Sequence, residues 1–96
     1  MGLFGNTSIM AKEIIKFWGN GCMNCKALAP TVDALAAEYK DIKFRAINIH
    51  DDEEVAKKYE VTGLPTLVFV RDGAVVDRLV GLKPKSVIIK KIAESF

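Results

Sequence analysis

Two cysteines three positions apart, Cys22 and Cys25, are the residues of this chain whose spacing most clearly favours a chemistry. A disulfide between them would close too short a loop to add much stability. A thiol at the start of a helix lies near free backbone N–H groups and the positive end of the helix dipole, which favour the thiolate. We therefore expect Cys22 to be the nucleophilic thiolate, and Cys25 to release a mixed disulfide by intramolecular attack.

The elements that must position these cysteines follow from hydrophobic periodicity and turn residues. The sequence predicts a strand over residues 11–18, a helix over 23–40, a strand over 42–49, a short helix after the acidic run 51–54, strands over 66–70 and 75–80, and a last helix that begins near Pro84. The four carboxylates of 51–54 suit the positive end of a helix. Asp72-Gly73, between two apolar runs, indicates a tight hairpin.

The order of the predicted elements, β-α-β-α-β-β-α, defines the expected fold class. A parallel strand pair joined by a crossover helix, completed by an antiparallel hairpin, gives a four-stranded mixed sheet. Residues 66–70 are apolar without alternation, as in a strand that is covered on both faces. We therefore predict an α/β three-layer sandwich with helices on both faces of the sheet, in which the hairpin is not solvated on either face.

Length, charge and hydropathy patterning exclude several classes of protein. The 96 residues allow one domain, which we place at residues 11–96, with residues 1–10 as an extension that need not be ordered. The net charge of +2 is spread along the chain, so we expect no nucleic acid partner. Charged residues interrupt every apolar run, and the amino terminus lacks a signal-peptide pattern, so we expect a monomeric cytoplasmic protein with no membrane partner.

A set of residues around the cysteines and along the rest of the chain carries a family resemblance. They are Phe17-Trp18, Cys22-x-x-Cys25-Lys26, Ala29-Pro30, Lys58-Tyr59-x-Val61-x-Gly63-Leu64-Pro65-Thr66-Leu67, Asp72-Gly73 and Val80-Gly81. Over about residues 11–96, the chain resembles the thioredoxin family in its short form, which lacks an extra amino-terminal strand and helix. The resemblance implies a thioredoxin-like fold and a dithiol that reduces disulfides in protein substrates.

The same resemblance implies roles for individual residues. Cys22 would be the attacking sulfur and Cys25 the resolving one, and Pro65 would be a cis proline whose loop aligns an extended substrate segment. We expect the groove that binds the substrate to be formed by Gly21, Met23, Thr62, Gly63, Leu64, Pro65 and Gly81. A flavin-dependent enzyme similar to thioredoxin reductase would restore the dithiol, with glutathione as the competing reductant. No cofactor is expected in the chain itself.

The chain departs from the family pattern at the motif and beneath it. The family usually has Trp-Cys-Gly-Pro-Cys, where this chain has Gly21 before the first cysteine and Met23-Asn24 between the two. Six residues before the first cysteine, the family commonly has a buried acid, and this chain has Lys16. On the next strand the family usually has a lysine that partners this acid, and this chain has Ala46 at that position. If Lys16 lies beneath the motif, its charge should tune the pKa of the thiols by favouring the thiolate. Alternatively, its ammonium reaches water.

A rival function is a binding module on the same fold, either redox-silent or holding a metal. His50 is the only histidine, and we interpret it as a turn residue at a strand end. Two cysteines and one histidine leave a structural zinc site one ligand short, so we predict no metal site. Thiol-dependent turnover of a protein disulfide would distinguish the enzyme from the binding module.

Overall fold

The computed structural model describes residues 11–96, whose elements are β1 (Lys12–Trp18), α1 (Met23–Glu38), β2 (Ile42–Asn48), α2 (Glu53–Lys58), β3 (Thr66–Arg71), β4 (Ala74–Val80) and α3 (Lys85–Ser95). The predicted β-α-β-α-β-β-α order is therefore confirmed. The expected extension, residues 1–10, lies outside the described residues. Within residues 11–96, no helix combines the length and the apolar character that a membrane crossing needs.

The four strands form one mixed sheet in the order β2-β1-β3-β4. β1 pairs in parallel with β2 and antiparallel with β3, and β3 pairs antiparallel with β4. In this register Lys16 lies opposite Ala46 on one side and Leu67 on the other. The predicted parallel pair and antiparallel hairpin are thus both present, and β1 is an inner strand.

Two apolar clusters hold the helices against the two faces of the sheet. The cluster under α1 and α3 contains Ile14, Leu28, Val32, Leu35, Ile42, Leu67, Phe69, Ile88 and Ile92. The cluster on the other face contains Ile15, Phe17, Val68 and Val70, with Val55 and Ala56 of α2 packed against it. Since successive side chains of a strand point to opposite faces, Lys16 shares the face of Ile14 and therefore lies on the side of α1.

Local sequence signals account for the hairpin and for the start of α2. Asp72 and Gly73 both have positive φ, 53° and 85°, as a two-residue hairpin turn requires. Asp52 is the N-cap of α2, and its carboxylate accepts a hydrogen bond from the Val55 N–H group at 3.3 Å. The predicted hairpin and acidic helix start are both confirmed.

α3 begins at Lys85, directly after its N-cap Pro84, as predicted. Two other predicted details differ from the structure. α1 ends at Glu38 instead of residue 40, because Tyr39 has left the helical region at φ −104° and ψ 74°. β3 is buried on both faces, but β4 is an edge strand, and Val75 and Val80 at its ends are each 43% exposed. The prediction that the whole hairpin is covered was therefore wrong for β4.

A salt bridge fastens α3 to the edge strand. Lys91 Nζ of α3 lies 2.9 Å from Asp77 Oδ2 of β4, and the two side chains are 23% and 35% exposed. The hydrogen bond from Lys91 holds the pKa of the Asp77 carboxyl below its ordinary value of 3.8. A carboxyl whose pKa is lower in the folded state stabilises the fold above its unfolded-state pKa and loses that contribution as pH falls.

We expect the Asp77→Asn variant to have a smaller free energy of unfolding than the original chain near neutral pH. The difference should be small, since the pair is partly exposed, and it should vanish as pH falls through the folded-state pKa of Asp77. Urea unfolding at a series of pH values measures it. Asp33→Asn is the control, because Asp33 is exposed and forms no salt bridge within residues 11–96. A difference in the free energy of unfolding between Asp77→Asn and the original chain that does not change with pH would contradict this account.

Candidate functional site

Cys22 and Cys25 form a disulfide at the amino-terminal end of α1, with their Cα atoms 5.2 Å apart. Cys22 is the N-cap residue, with extended backbone angles of φ −85° and ψ 104°, and its Sγ accepts a hydrogen bond from the Cys25 N–H group at 3.1 Å. The Cys22 carbonyl accepts the N–H of Lys26 at 3.2 Å. The first sulfur therefore lies where the helix presents its unpaired N–H groups.

The two sulfurs differ in their access to solvent. Cys22 is partly exposed, whereas Cys25 is 5% exposed and lies on the same helix face as Leu28 and Val32. The first turn of α1 contains no acidic residue that would oppose a thiolate. The geometry therefore combines an accessible sulfur at the positive end of the helix dipole with a shielded sulfur one turn later.

A second segment, residues 62–66, leads into β3 and lies close to the residue that follows β1, because Leu64 packs near Gly19. The Leu64–Pro65 bond is cis, as the resemblance implies. The Thr66 hydroxyl donates a hydrogen bond to the Gly63 carbonyl at 2.5 Å, and the Gly81 N–H group donates to the Pro65 carbonyl at 2.8 Å. These two bonds tie the proline loop to the start of β3 and to the end of β4.

The side chain of Leu64 packs this loop against Gly19, which lies between β1 and the cysteines. A Cβ atom placed on Gly19 would lie 2.9 Å from Leu64 Cδ1, so the end of the Leu64 side chain packs closely against Gly19 and would have to shift for a larger residue. The same Cβ atom would lie 3.5 Å from Nε2 of His50. His50 is exposed in the turn after β2, as predicted from the sequence, with its N–H group bonded to Asn48 Oδ1 at 2.9 Å.

The other residues expected to contact the substrate lie on or near the surface around these two segments. Met23 is 75% exposed at the first position of α1, and Gly21 is exposed with φ of 76°. Thr62 is exposed, whereas Gly63 and Gly81 are partly buried. Met23 and Gly21 are therefore exposed on either side of Cys22, whereas the Pro65 side chain is buried.

A cavity of about 460 Å³ lies beside the disulfide on the α1 side of β1. Its lining residues are Lys16, Trp18, Gly19, Asn20, Gly21, Cys22, Cys25, Lys26 and Ala29. Lys16 therefore lines the same cavity as both cysteines. Within residues 11–96 neither Lys16 nor Lys26 forms a salt bridge.

The sequence reasoning did not identify Trp18, Lys26 and Ala29 as site residues. Two periodicities could have found them. Trp18 follows Lys16 by two positions in a strand, which places both on one face. Lys26 and Ala29 follow Cys22 by four and seven positions, which places them on one face of a helix. No cluster of three or more His, Cys, Asp or Glu side chains suited to a metal ion occurs in the described part of the chain.

Comparisons with known proteins agree with this geometry. The family model described as Thioredoxin matches residues 6–94. The chain is 38% identical over 91 residues to thioredoxin of Chlamydia trachomatis serovar D, covering 95% of this chain and 89% of that one. It is 39% identical over 79 residues to thioredoxin of Chlamydia caviae, covering 82% and 78%.

A solved structure is similar as well. The X-ray structure of Fasciola hepatica thioredoxin matches with a TM-score of 0.84 and 34% identity, covering 90% of this chain and 82% of that one. The three-layer sandwich is therefore the thioredoxin fold, and the Cys22–Cys25 pair lies at the matching CxxC motif. The chain belongs to the thioredoxin family and is a thiol–disulfide oxidoreductase of the protein-disulfide reductase type.

Proposed function

We propose that Cys22 is the sulfur that attacks the disulfide of a protein substrate and that Cys25 resolves the intermediate. The observation that carries this assignment is the difference in exposure: Cys22 is partly exposed at the N-cap of α1, whereas Cys25 is 5% exposed. A substrate disulfide can reach the sulfur of Cys22 from solvent. The shielded sulfur of Cys25 reacts only with its neighbour, the Cys22 sulfur, once that sulfur is bonded to the substrate.

The reaction proceeds by two exchanges between thiolate and disulfide. The Cys22 thiolate attacks one substrate sulfur, forms a mixed disulfide, and releases the other substrate sulfur as a thiolate. Cys25 then passes its proton through water to the released substrate thiolate, attacks the Cys22 sulfur, and releases the second substrate sulfur, which takes a proton from water. Two electrons pass from the dithiol to the substrate, and the products are a substrate dithiol and the Cys22–Cys25 disulfide.

The groove formed by Gly21, Met23, residues 62–65 and Gly81 aligns an extended substrate segment through backbone hydrogen bonds. Two observations support this role. Met23 offers a flexible apolar side chain that is 75% exposed beside the attacking sulfur, suited to adaptable contacts. Gly21, with no side chain, leaves the backbone beside the motif open. The substrate class is therefore broad, with contacts that depend little on the side chains of the bound segment.

The reductant that restores the dithiol is a flavin-dependent enzyme similar to thioredoxin reductase, with glutathione as the competing donor. The support is the family membership together with the proline loop and hairpin, which favour thioredoxin over glutaredoxin. The proposed location is the cytoplasm, where a thioredoxin-type dithiol is kept reduced.

Lys16 shifts the balance between dithiol and disulfide. Its partly buried side chain lines the cavity that both cysteines line, with no salt bridge within residues 11–96 to offset its charge. A nearby cation favours a thiolate, so it lowers the pKa of the thiol and stabilises the reduced form. A more stable reduced form makes the disulfide a stronger oxidant.

The first test is turnover of insulin, with thiol-dependent precipitation of its reduced chains as the measurement. The purified protein should reduce insulin when supplied with a dithiol, and Cys22→Ser should abolish this activity, because no sulfur remains for the first attack. Comparing NADPH plus a flavin reductase with glutathione as electron donor identifies the preferred reductant. An absence of turnover with every donor would favour the redox-silent binding module.

The second test traps the intermediate. In the Cys25→Ser variant, a mixed disulfide between Cys22 and the substrate should accumulate, because the resolving thiolate is missing. Mass spectrometry of the acid-quenched reaction detects the adduct. The matched variant Cys22→Ser should trap little, because Cys25 is shielded from the substrate. Accumulation of adduct on Cys25 instead would reverse the two roles.

The third test concerns Lys16 and measures two equilibrium quantities. Lys16→Met keeps the length of the side chain and removes its charge, so it should raise the pKa of the Cys22 thiol, measured from ultraviolet thiolate absorbance. The reduction potential should become more negative by about 10 to 20 mV, as expected for loss of a partly exposed charge interaction.

Lys12→Met is the matched control for Lys16→Met. Lys12 lies on the same face at the far end of β1, about 13 Å away at the rise of a strand, and pairs with Asp41. Lys12→Met has the same net charge as Lys16→Met, and it should leave both the pKa of the Cys22 thiol and the reduction potential unchanged. If neither quantity moves in Lys16→Met either, the charge does not act on the thiols.

A further inference from the structure

The cavity beside the disulfide is lined by two cations and by no carboxylate that would neutralise them. Lys16 reaches it from β1 and Lys26 from α1, and the lining contains no acidic residue. Within residues 11–96, Lys12, Lys85 and Lys91 each bond a carboxylate, whereas Lys16, Lys26 and several other lysines form no salt bridge. Lys16, which is partly buried, and Lys26, which is exposed, differ from those other lysines in that they line one cavity together. The two lysines of the cavity therefore have charge available for a bound anion.

We propose that this cavity is a binding site for the carboxylate group of a small anionic disulfide, which is a second class of substrate for the same dithiol. The inference rests on the proposed roles of Cys22 and Cys25. The geometry points to a ligand whose sulfur meets Cys22 while its carboxylate lies between Lys16 and Lys26.

The size and wall chemistry of the cavity suit such a ligand. A volume of about 460 Å³ lies within the range of small-molecule sites. Trp18 and Ala29 provide apolar surface for the methylene groups between sulfur and carboxylate, and Asn20 adds a polar side chain. The cavity is lined from β1, the following turn and α1. It shares Gly21 with the groove proposed for a protein segment but does not include residues 62–65 or Gly81 of that groove.

The electrostatics favour an anion at this position over a neutral group. Lys16 is only partly exposed, so its interaction with a bound carboxylate is less screened than that of a fully solvated pair. The amino-terminal end of α1, which begins at Met23, adds its positive dipole to the same cavity. Ala46, opposite Lys16 in β2, supplies no competing charge.

The reaction balances without a further reagent. The Cys22 thiolate of the reduced protein attacks the small disulfide, forms a mixed disulfide, and releases one carboxylate-bearing thiolate. Cys25 passes its proton through water to the first released thiolate, attacks the Cys22 sulfur, and releases the second thiolate, which takes a proton from water. The protein gains the Cys22–Cys25 disulfide, and the two electrons of that dithiol reduce the small disulfide to two thiols.

The test uses the full reduced protein and two small disulfides, 3,3′-dithiodipropionate and bis(2-hydroxyethyl) disulfide. The first carries two carboxylates, and the second is neutral. Trp18 is the chain's only tryptophan and lines the cavity with both sulfurs, so its fluorescence follows oxidation in a single turnover. Each rate constant is divided by the rate constant of the same disulfide with a free dithiol, which removes the difference in intrinsic reactivity.

The normalised rate constant should be about tenfold larger for the dianion than for the neutral disulfide at low salt. Lys16→Met and Lys26→Met should each lower this ratio about threefold, the factor expected from one partly exposed charge pair. The ratio should also fall as ionic strength rises from about 0.05 M to about 0.5 M. Lys12→Met has the same net charge as either variant and should leave the ratio unchanged.

The neutral disulfide separates failure of this proposal from failure of the proposed function. If the protein is oxidised by the neutral disulfide but shows no preference for the dianion, the carboxylate site is wrong and the roles of the cysteines stand. A preference that survives in the Lys16→Met, Lys26→Met double variant would also overturn the site. If neither disulfide oxidises the protein, the dithiol chemistry itself fails. Thermal unfolding of each variant verifies that it is folded.

Discussion

The pairing of β1 with a strand on each side is the constraint on which the rest of the site depends. Ile14 packs on one face of the sheet, and Ile15 and Phe17 on the other. A shift of one residue would exchange the two faces and place Lys16 in a core cluster, so the register is strongly determined. The carboxyl end of β1 is thereby held in one place. Four residues after Trp18, the last residue of β1, the chain reaches Cys22 at the start of α1.

The packing of α1 makes two identical side chains chemically different. Cys25, Leu28, Val32 and Leu35 share one helix face, and that face is buried against the sheet. Cys22 precedes the first turn, where no helix covers it, and its sulfur meets the N–H groups that the helix leaves unpaired. The difference in exposure between the two sulfurs, on which the proposed attacking and resolving roles rest, therefore arises from the position where the helix begins.

Lys16 shows how a charged side chain is accommodated on a core-facing position. It follows Ile14 on the face beneath α1, but at this end of the strand the core gives way to the cavity beside the disulfide. The ammonium therefore avoids the large cost of full burial. Where the family commonly has an acid that accepts a proton, this chain has a cation. A cation at this position is the basis of the two roles proposed above for Lys16, one toward the thiols and one toward a bound anion.

The sequence by itself determined the order of the elements, the Asp72-Gly73 hairpin, the acidic start of α2 and the Cys22–Cys25 pair, because each depends on neighbours along the chain. The family resemblance added the cis bond before Pro65. Only the tertiary structure decided the exposure of β4, and only it brought Lys16 and Lys26 to one cavity. Burial depends on which element covers which face, and the distance between two side chains from different elements depends on how those elements pack. The periodicity of the sequence assigns a residue to one face of its own helix or strand, but it gives no distance between residues on different elements.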